Sequence, residues 1–181
     1  MSGLDRLGAM TSSELLDQAL VEEATKKSGL VWVGGPGVPA RALWHVWHEG
    51  AACLIGDGPG EQPLPGLVDG GTAEVTVRSK DKGGRLVVWT AKVVELPPGS
   101  EAWTAAVGEL KGKRLNAPDG EAMTERWARE CRVLRLEPTG VTLPLPDGDL
   151  AARPLPSPAT TREPIPAGLP KLLVRRRRRG Q

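Results

Sequence analysis

Three cations and a hydroxyl fall close together at Arg78, Ser79, Lys80 and Arg85, on either side of the turn signal Asp81-Lys82-Gly83-Gly84. In a hairpin, Arg78 and Lys80 lie on the polar face of one strand, and Arg85 enters the partner strand nearby. A guanidinium offers two parallel donors and an ammonium a point charge, so this set could hold a phosphate. A solvated, positively charged strand end reads the same way, and both readings stay open. His45 and His48 lie three residues apart on an alternating segment, so they project to opposite faces and cannot act as a pair. His45, flanked by Trp44 and Val46, fits a buried, hydrogen-bonded ring better than an acid–base group. His48 abuts a turn and is expected to be solvated.

Other chemistries find no support in the sequence. There is no nucleophile elbow, no Ser/His/Asp order and no paired-carboxylate motif, so no catalytic residue is assigned. Neither histidine has Cys, Asp or Glu partners at ligand spacing, and no metal site is expected. Cys53 and Cys131 stand far apart and outside any C-x-x-C spacing. With no charged-then-apolar leader over Met1–Met10, they imply a reduced, cytoplasmic protein. No run approaches the length of a membrane span. The Gly34–Pro39 loop is glycine-rich, but it lacks the spacing and following helix of a phosphate-binding loop.

Composition narrows the partners. The net charge of +2 hides an asymmetry: Lys171 and Arg175 to Arg179 supply six positive charges near the end of the chain. Without them, 18 basic groups face 22 acidic ones and the body carries about −4. The basicity therefore belongs to a tail, and weak polyanion binding is expected of Arg175–Arg179 alone. Six Trp and no Phe or Tyr mean that indoles carry most of the large-volume packing, so each Trp is a core candidate before it is a ligand contact.

The elements that would position these residues follow from periodicity. Thr11-x-x-Glu14 is a capping box opening a helix, with Leu15, Leu16, Ala19, Leu20 and Ala24 at three- and four-residue spacing and Lys26 and Lys27 in its last turn. Strands are expected at 30–33, 42–48, 51–55, 71–80 and 85–96, with Glu49-Gly50 as a hairpin turn. Asp57–Leu67 holds too many Gly and Pro to be regular. A helix starts at an N-cap Ser100 with Trp103, Val107 and Leu110 on one side. A second, shorter one turns Met123 and Trp127 inward and pairs Glu125 with Arg129. Cys131–Glu137 closes the set. From Pro138 on, nine of the 17 prolines crowd the remaining residues, which favours an extended tail. The expected organisation is a disordered 1–10, a domain over 11–138 and a Pro-rich, Arg-ended tail over 139–181. The fold class is mainly β (α+β): a small antiparallel barrel with an N-terminal helix and two short helices before the last strand.

The runs ALWHVWHEGAACLIGDGPGEQPLPGL, AEVTVRSKD and RLVVWTAKVVEL, in that order, resemble the pyridoxamine 5'-phosphate oxidase-like split-barrel family. The resemblance covers about Gly29 to Pro138 and lies in pattern more than in motif. It implies a split β-barrel, a homodimer with the pocket at its interface, and FMN or the related deazaflavin coenzyme as cofactor. Carried onto this chain, it puts Trp44 and His45 at the pocket wall, with Trp44 or Trp47 stacking on the isoalloxazine ring. One stretch departs from the pattern. Where relatives hold the cofactor phosphate with Ser and Lys or Arg, this chain has Gly58-Pro59-Gly60-Glu61-Gln62, and no Asn precedes Leu67.

Two outcomes follow. Either Arg78, Ser79 and Lys80 take over the phosphate, in an oxidoreductase whose substrate the sequence does not name, or the barrel has lost its cofactor and serves as a binding or interaction module.

Overall fold

The computed structural model of the chain describes residues 11–114 and 119–144. The expected disordered N-terminus and all of the tail beyond 144, Arg175–Arg179 included, lie outside them. The described residues form seven strands and three α-helices. Helix α1 is Ser12–Lys27, followed by β1 Leu30–Gly34, β2 Arg41–Trp44, β3 Val46–His48, β4 Ala51–Gly56, β5 Thr72–Arg78 and β6 Arg85–Glu95. Then come α2 Glu101–Lys113, a single 3-10 turn Gly120–Ala122, α3 Met123–Glu130 and β7 Arg132–Leu143.

Local chemistry fixes the ends of these elements. Thr11 caps α1 by the reciprocal box: its backbone N–H donates to Glu14 Oε2 at 2.7 Å, and its Oγ1 accepts from the Glu14 N–H at 3.3 Å. Ser100 Oγ accepts from the Trp103 N–H at 3.1 Å to start α2. Between β3 and β4, Glu49 and Gly50 both adopt positive φ, 46° and 75°, as the turn that matches strand twist demands. Arg78 pairs with Arg85 at the end of the β5–β6 hairpin, one step past a bulge.

All strand pairs are antiparallel, in the order β2-β1-β5-β6-β7-β4-β3. The two outer strands of that order, β2 and β3, are separated in sequence only by His45. The sheet must therefore curl until its two outer strands meet in one stretch of chain, giving a split barrel whose edge strands are not paired with each other. The expected single strand over 42–48 is thus two: β2 pairs with β1, β3 pairs with β4, and the chain changes partner at His45. The closing strand also runs to Leu143 rather than ending near Glu137.

Two apolar clusters result. Val31, Val33, Leu43, Leu54, Val75, Val77, Trp89, Val93, Leu134 and Leu136 come from six strands and fill the barrel, with Val21 of α1 packed among them. Cys53, Ile55 and Val133 point the other way, against Trp103, Val107 and Leu110 of α2 and Met123 and Trp127 of α3. Every residue of β4 is buried because the barrel core lies on one side and the helices on the other. That is why AACLIG reads as a continuous apolar run. The backbone approaches itself tightly after β1: a Cβ on Gly35 would stand 2.1 Å from the Gly66 carbonyl oxygen. The Gly34–Pro39 loop is therefore a close-approach turn. These residues fold as a split β-barrel of mainly β (α+β) class.

Candidate functional site

The break at His45 turns its ring toward the last turn of α1. His45 is 6% exposed, and its Nε2 lies 2.9 Å from the Thr25 carbonyl oxygen. A carbonyl only accepts, so Nε2 carries the proton, and in the neutral ring Nδ1 is an acceptor. Burial pushes the imidazole below its usual range; the Thr25 bond opposes this, and the charge of nearby Lys113 adds to it. His45 is a neutral structural donor that pins the strand crossover to the helix. His48, expected to be solvated, is instead only 20% exposed at its side chain, with Nε2 3.7 Å from Glu49.

Two neighbouring cavities open on this side of the barrel. The first, about 390 Å³, is lined by Lys27, Ser28, Gly29, Trp44, His45, Lys80, Lys113 and Arg114. The second, about 430 Å³, takes in Lys27, Ser28, Arg78, Ser79 and Lys80 with Leu20, Ala24 and Leu86. Lys27, Ser28 and Lys80 belong to both. The sequence-predicted residues thus divide between the two cavities, Trp44 and His45 in one and Arg78 and Ser79 in the other, with Lys80 shared. Arg85 lines neither, and Trp47 packs into the barrel core, edge-on to Trp89 at 6.4 Å. Among the described residues no carboxylate lines the first cavity. In the second, Glu23 is taken by Lys27 at 2.7 Å. Among the described residues Arg78, Lys80 and Lys113 have no carboxylate partner. A further cavity of about 680 Å³, by Trp89 and Pro138–Thr142, is lined by Glu14 and Asp17 and gathers none of the predicted residues.

The 57–67 loop, where the resemblance puts a phosphate, is fastened from within. The Glu61 side chain is fully buried. Its carboxylate lies 3.2 Å from Arg126 Nη2 and 3.4 Å from Arg114 Nε, and Oε1 accepts from the Trp127 indole N–H at 3.0 Å. Arg126 also binds Asp119 at 2.6 Å, and its guanidinium holds that carboxyl below the usual range. Gln62 Oε1 accepts from the Trp44 N–H at 2.8 Å, while its amide N–H₂ donates to the carbonyls of Trp44 at 2.9 Å and Ile55 at 3.1 Å. One side chain therefore serves the backbone groups that the β2–β3 break leaves without a strand partner. Asp57 accepts from the Leu64 N–H at 2.7 Å and pairs with Arg132 at 3.1 Å. Arg132 in turn reaches Glu95 at 2.7 Å. The expected Glu125–Arg129 pair is replaced by Arg129 to Glu130 at 4.0 Å.

Sequence reasoning missed Lys27, Lys113 and Arg114 as cavity residues. The available signal was their place: Lys27 and Lys113 end α1 and α2, and Arg114 is the α2 C-cap. Helix C-termini favour cations whatever else they do, which masked the convergence of the two ends. Trp44 stands within this group, its ring centroid 5.7 Å from the Arg114 guanidinium carbon.

No protein-family model and no curated protein matches the chain. Among solved structures, the heme storage protein HutZ from Vibrio cholerae superposes with a TM-score of 0.46 at 10% identity, over 70% of this chain and 93% of that one. An FAD binding protein from Mycobacterium smegmatis gives 0.43 at 12% identity, over 74% and 94%. A flavocytochrome from Azotobacter vinelandii gives 0.43 at 16% identity, over 90% and 94%. Among the described residues no helix is long and apolar enough to cross a membrane, and no group of three His, Cys, Asp or Glu could hold a metal ion. By its own strand order and the closure at His45, the chain has the split-barrel architecture that its resemblance to pyridoxamine 5'-phosphate oxidase-like proteins implied.

Proposed function

We propose that the chain binds a phosphate-bearing flavin, FMN or the related deazaflavin coenzyme, across the two adjoining cavities. One observation carries this reading: Arg78, Lys80 and Lys113 have no carboxylate partner among the described residues; Lys80 and Lys113 line the first cavity with the indole of Trp44, and Lys80 also lines the second with Arg78. Cations left without counter-charge beside a concave surface suit an anion, and an indole suits a flat, apolar ring. The residues fit the coenzyme by donor chemistry. Arg78 and Lys80, with the Ser79 hydroxyl, would hold the phosphate, and Trp44 and His45 would flank the ring. Bound there, the coenzyme would supply hydride transfer, which makes an oxidoreductase the natural enzymatic use. A homodimer belongs to the same reading, because Leu16 and Leu20 of α1 stand 71% and 47% exposed and Leu20 lines the second cavity.

The fastened loop favours a second reading. Glu61 and Gln62 are committed to internal contacts, as expected of a barrel that carries no cofactor and works as a binding module. One experiment separates the two. The purified protein is examined for visible absorbance and then titrated with FMN and with the deazaflavin coenzyme. Binding of either supports the coenzyme reading; no binding of either at about tens of micromolar, an affinity near 6–7 kcal/mol, leaves the cofactor-free module.

A further inference from the structure

Trp32 lies outside the residues that either reading uses, yet it sits against the most unusual cation of the site. It pairs with Thr76 across β1 and β5, which puts it diagonal to Arg78 on the same face of the sheet. The Arg78 guanidinium carbon lies 4.8 Å from the centre of the Trp32 ring, within cation–π range. The Arg78 Nε–H is closed off from solvent without an acceptor, and no carboxylate among the described residues pairs with this side chain. The other arginines near the barrel's helical side, Arg114, Arg126, Arg132 and Arg135, each have an acidic partner. An N–H that has lost water without gaining an acceptor is costly, and more so on a charged group with no counter-charge. The indole face recovers part of that cost and fixes the plane of the fork, whose outer nitrogens belong to a side chain lining the second cavity.

We propose that Trp32 is a positioning residue that holds Arg78 as a pre-set anion fork, making the second cavity a subsite for a phosphate monoester. The inference rests on the coenzyme reading above and specifies which part of the ligand this subsite recognises. Lys27 is neutralised by Glu23, so Arg78 and Lys80 bring two uncompensated charges to the cavity. Two charges match the dianion of a monoester better than the single charge of a diester. The Ser79 Oγ accepts weakly from the Lys82 N–H at 3.4 Å, which leaves its own proton to donate to the same group.

FMN and riboflavin differ only in the monoester, so their affinities, measured by calorimetry, isolate the subsite. The wild type is expected to prefer FMN by about tenfold or more, the scale of one charge-assisted contact. Arg78→Gln should bring that ratio close to one. Trp32→Leu should do the same, whereas Trp32→Phe, which keeps an aromatic face, should preserve the preference. Arg78→Lys keeps the charge but loses the planar fork, and it should lose most of the ratio even if Trp32→Leu does not fold. A wild-type ratio in Trp32→Leu, or equal losses in Trp32→Phe and Trp32→Leu, would overturn the proposal. Failure of the wild type to bind either flavin removes the coenzyme reading alone, and inorganic phosphate then serves as the probe. Phosphate binding weakened by Arg78→Gln and Trp32→Leu but kept by Trp32→Phe upholds the subsite; no phosphate binding refutes it as well.

Discussion

Two charged regions lie close together on this barrel and use their charges in opposite ways. In the 57–67 loop and the helices behind it, acidic and basic groups are matched: Glu61 with Arg114 and Arg126, Asp119 with Arg126, Asp57 and Glu95 with Arg132. At the rim formed by the ends of α1, β5 and α2, Lys80, Lys113 and Arg78 have no such match among the described residues. Matched charges at low exposure are tied to one another, so that removing one strands its partner; unmatched ones at a cavity are open to an anionic ligand. The difference teaches that the acidic residue most at odds with a phosphate site, Glu61, belongs to the matched region and does not oppose the unmatched one.

The sharpest way to break the comparison is to unbalance the matched side. Glu61→Ala removes a fully buried carboxylate and leaves two guanidinium groups and an indole N–H facing a gap. Removing one partner of a buried pair costs about 3–5 kcal/mol, and the partial exposure of both arginines places this site at the low end. Equilibrium denaturation should show that loss. An unchanged midpoint would mean that the loop is not fastened through Glu61. Gln62→Ala comes next. It strips partners from the Trp44 N–H and from two carbonyls, at about 1–3 kcal/mol for groups left unsatisfied, with the amide proton of Trp44 losing its exchange protection. Gln62→Glu keeps the acceptor but turns a carboxylate oxygen onto the two carbonyls, so it should cost at least as much as Gln62→Ala.

How much of this was legible in the sequence depends on the separation of the partners. The capping box at Thr11 and Glu14, the Glu49-Gly50 turn, the inward Trp103 and Trp127 and the β5–β6 hairpin all rest on neighbours a few residues apart, where periodicity and turn chemistry speak directly. The partner exchange at His45 rests on two strand pairings formed in different parts of the sheet, and a continuous alternation over 42–48 hides it. The Gln62 clamp spans 18 residues, and the Glu61–Trp127 bond spans 66. No local pattern marks a glutamine as a stand-in for a strand, or an acid as the partner of an indole so far away. The cavity was half legible. Arg78, Ser79 and Lys80 form a visible cluster, but Lys27 and Lys113 are ordinary helix-end lysines until the fold brings the two ends together.

The mildest test sharpens the unmatched side, where a lysine charge change should leave stability within about 0.5 kcal/mol because no carboxylate partner is lost. Lys113→Gln is the informative case, since Lys113 is one of the groups that hold His45 below the usual imidazole range. Burial is the larger cause and stays in place, so the His45 midpoint should rise but remain below that of a free imidazole. The sign of the linked stability follows from which state takes up the proton. A histidine depressed in the fold binds protons more readily when unfolded, so its contribution is present above about pH 6.5, the unfolded value, and is lost as pH falls through the folded value. Lys113→Gln narrows that window from its acid side. Proton NMR of the imidazole, with His48→Gln removing the second ring, reads the midpoint directly. A midpoint unmoved by Lys113→Gln would place the ammonium too far from His45 to share its cavity, and with it would go one of the three unmatched charges on which the comparison rests.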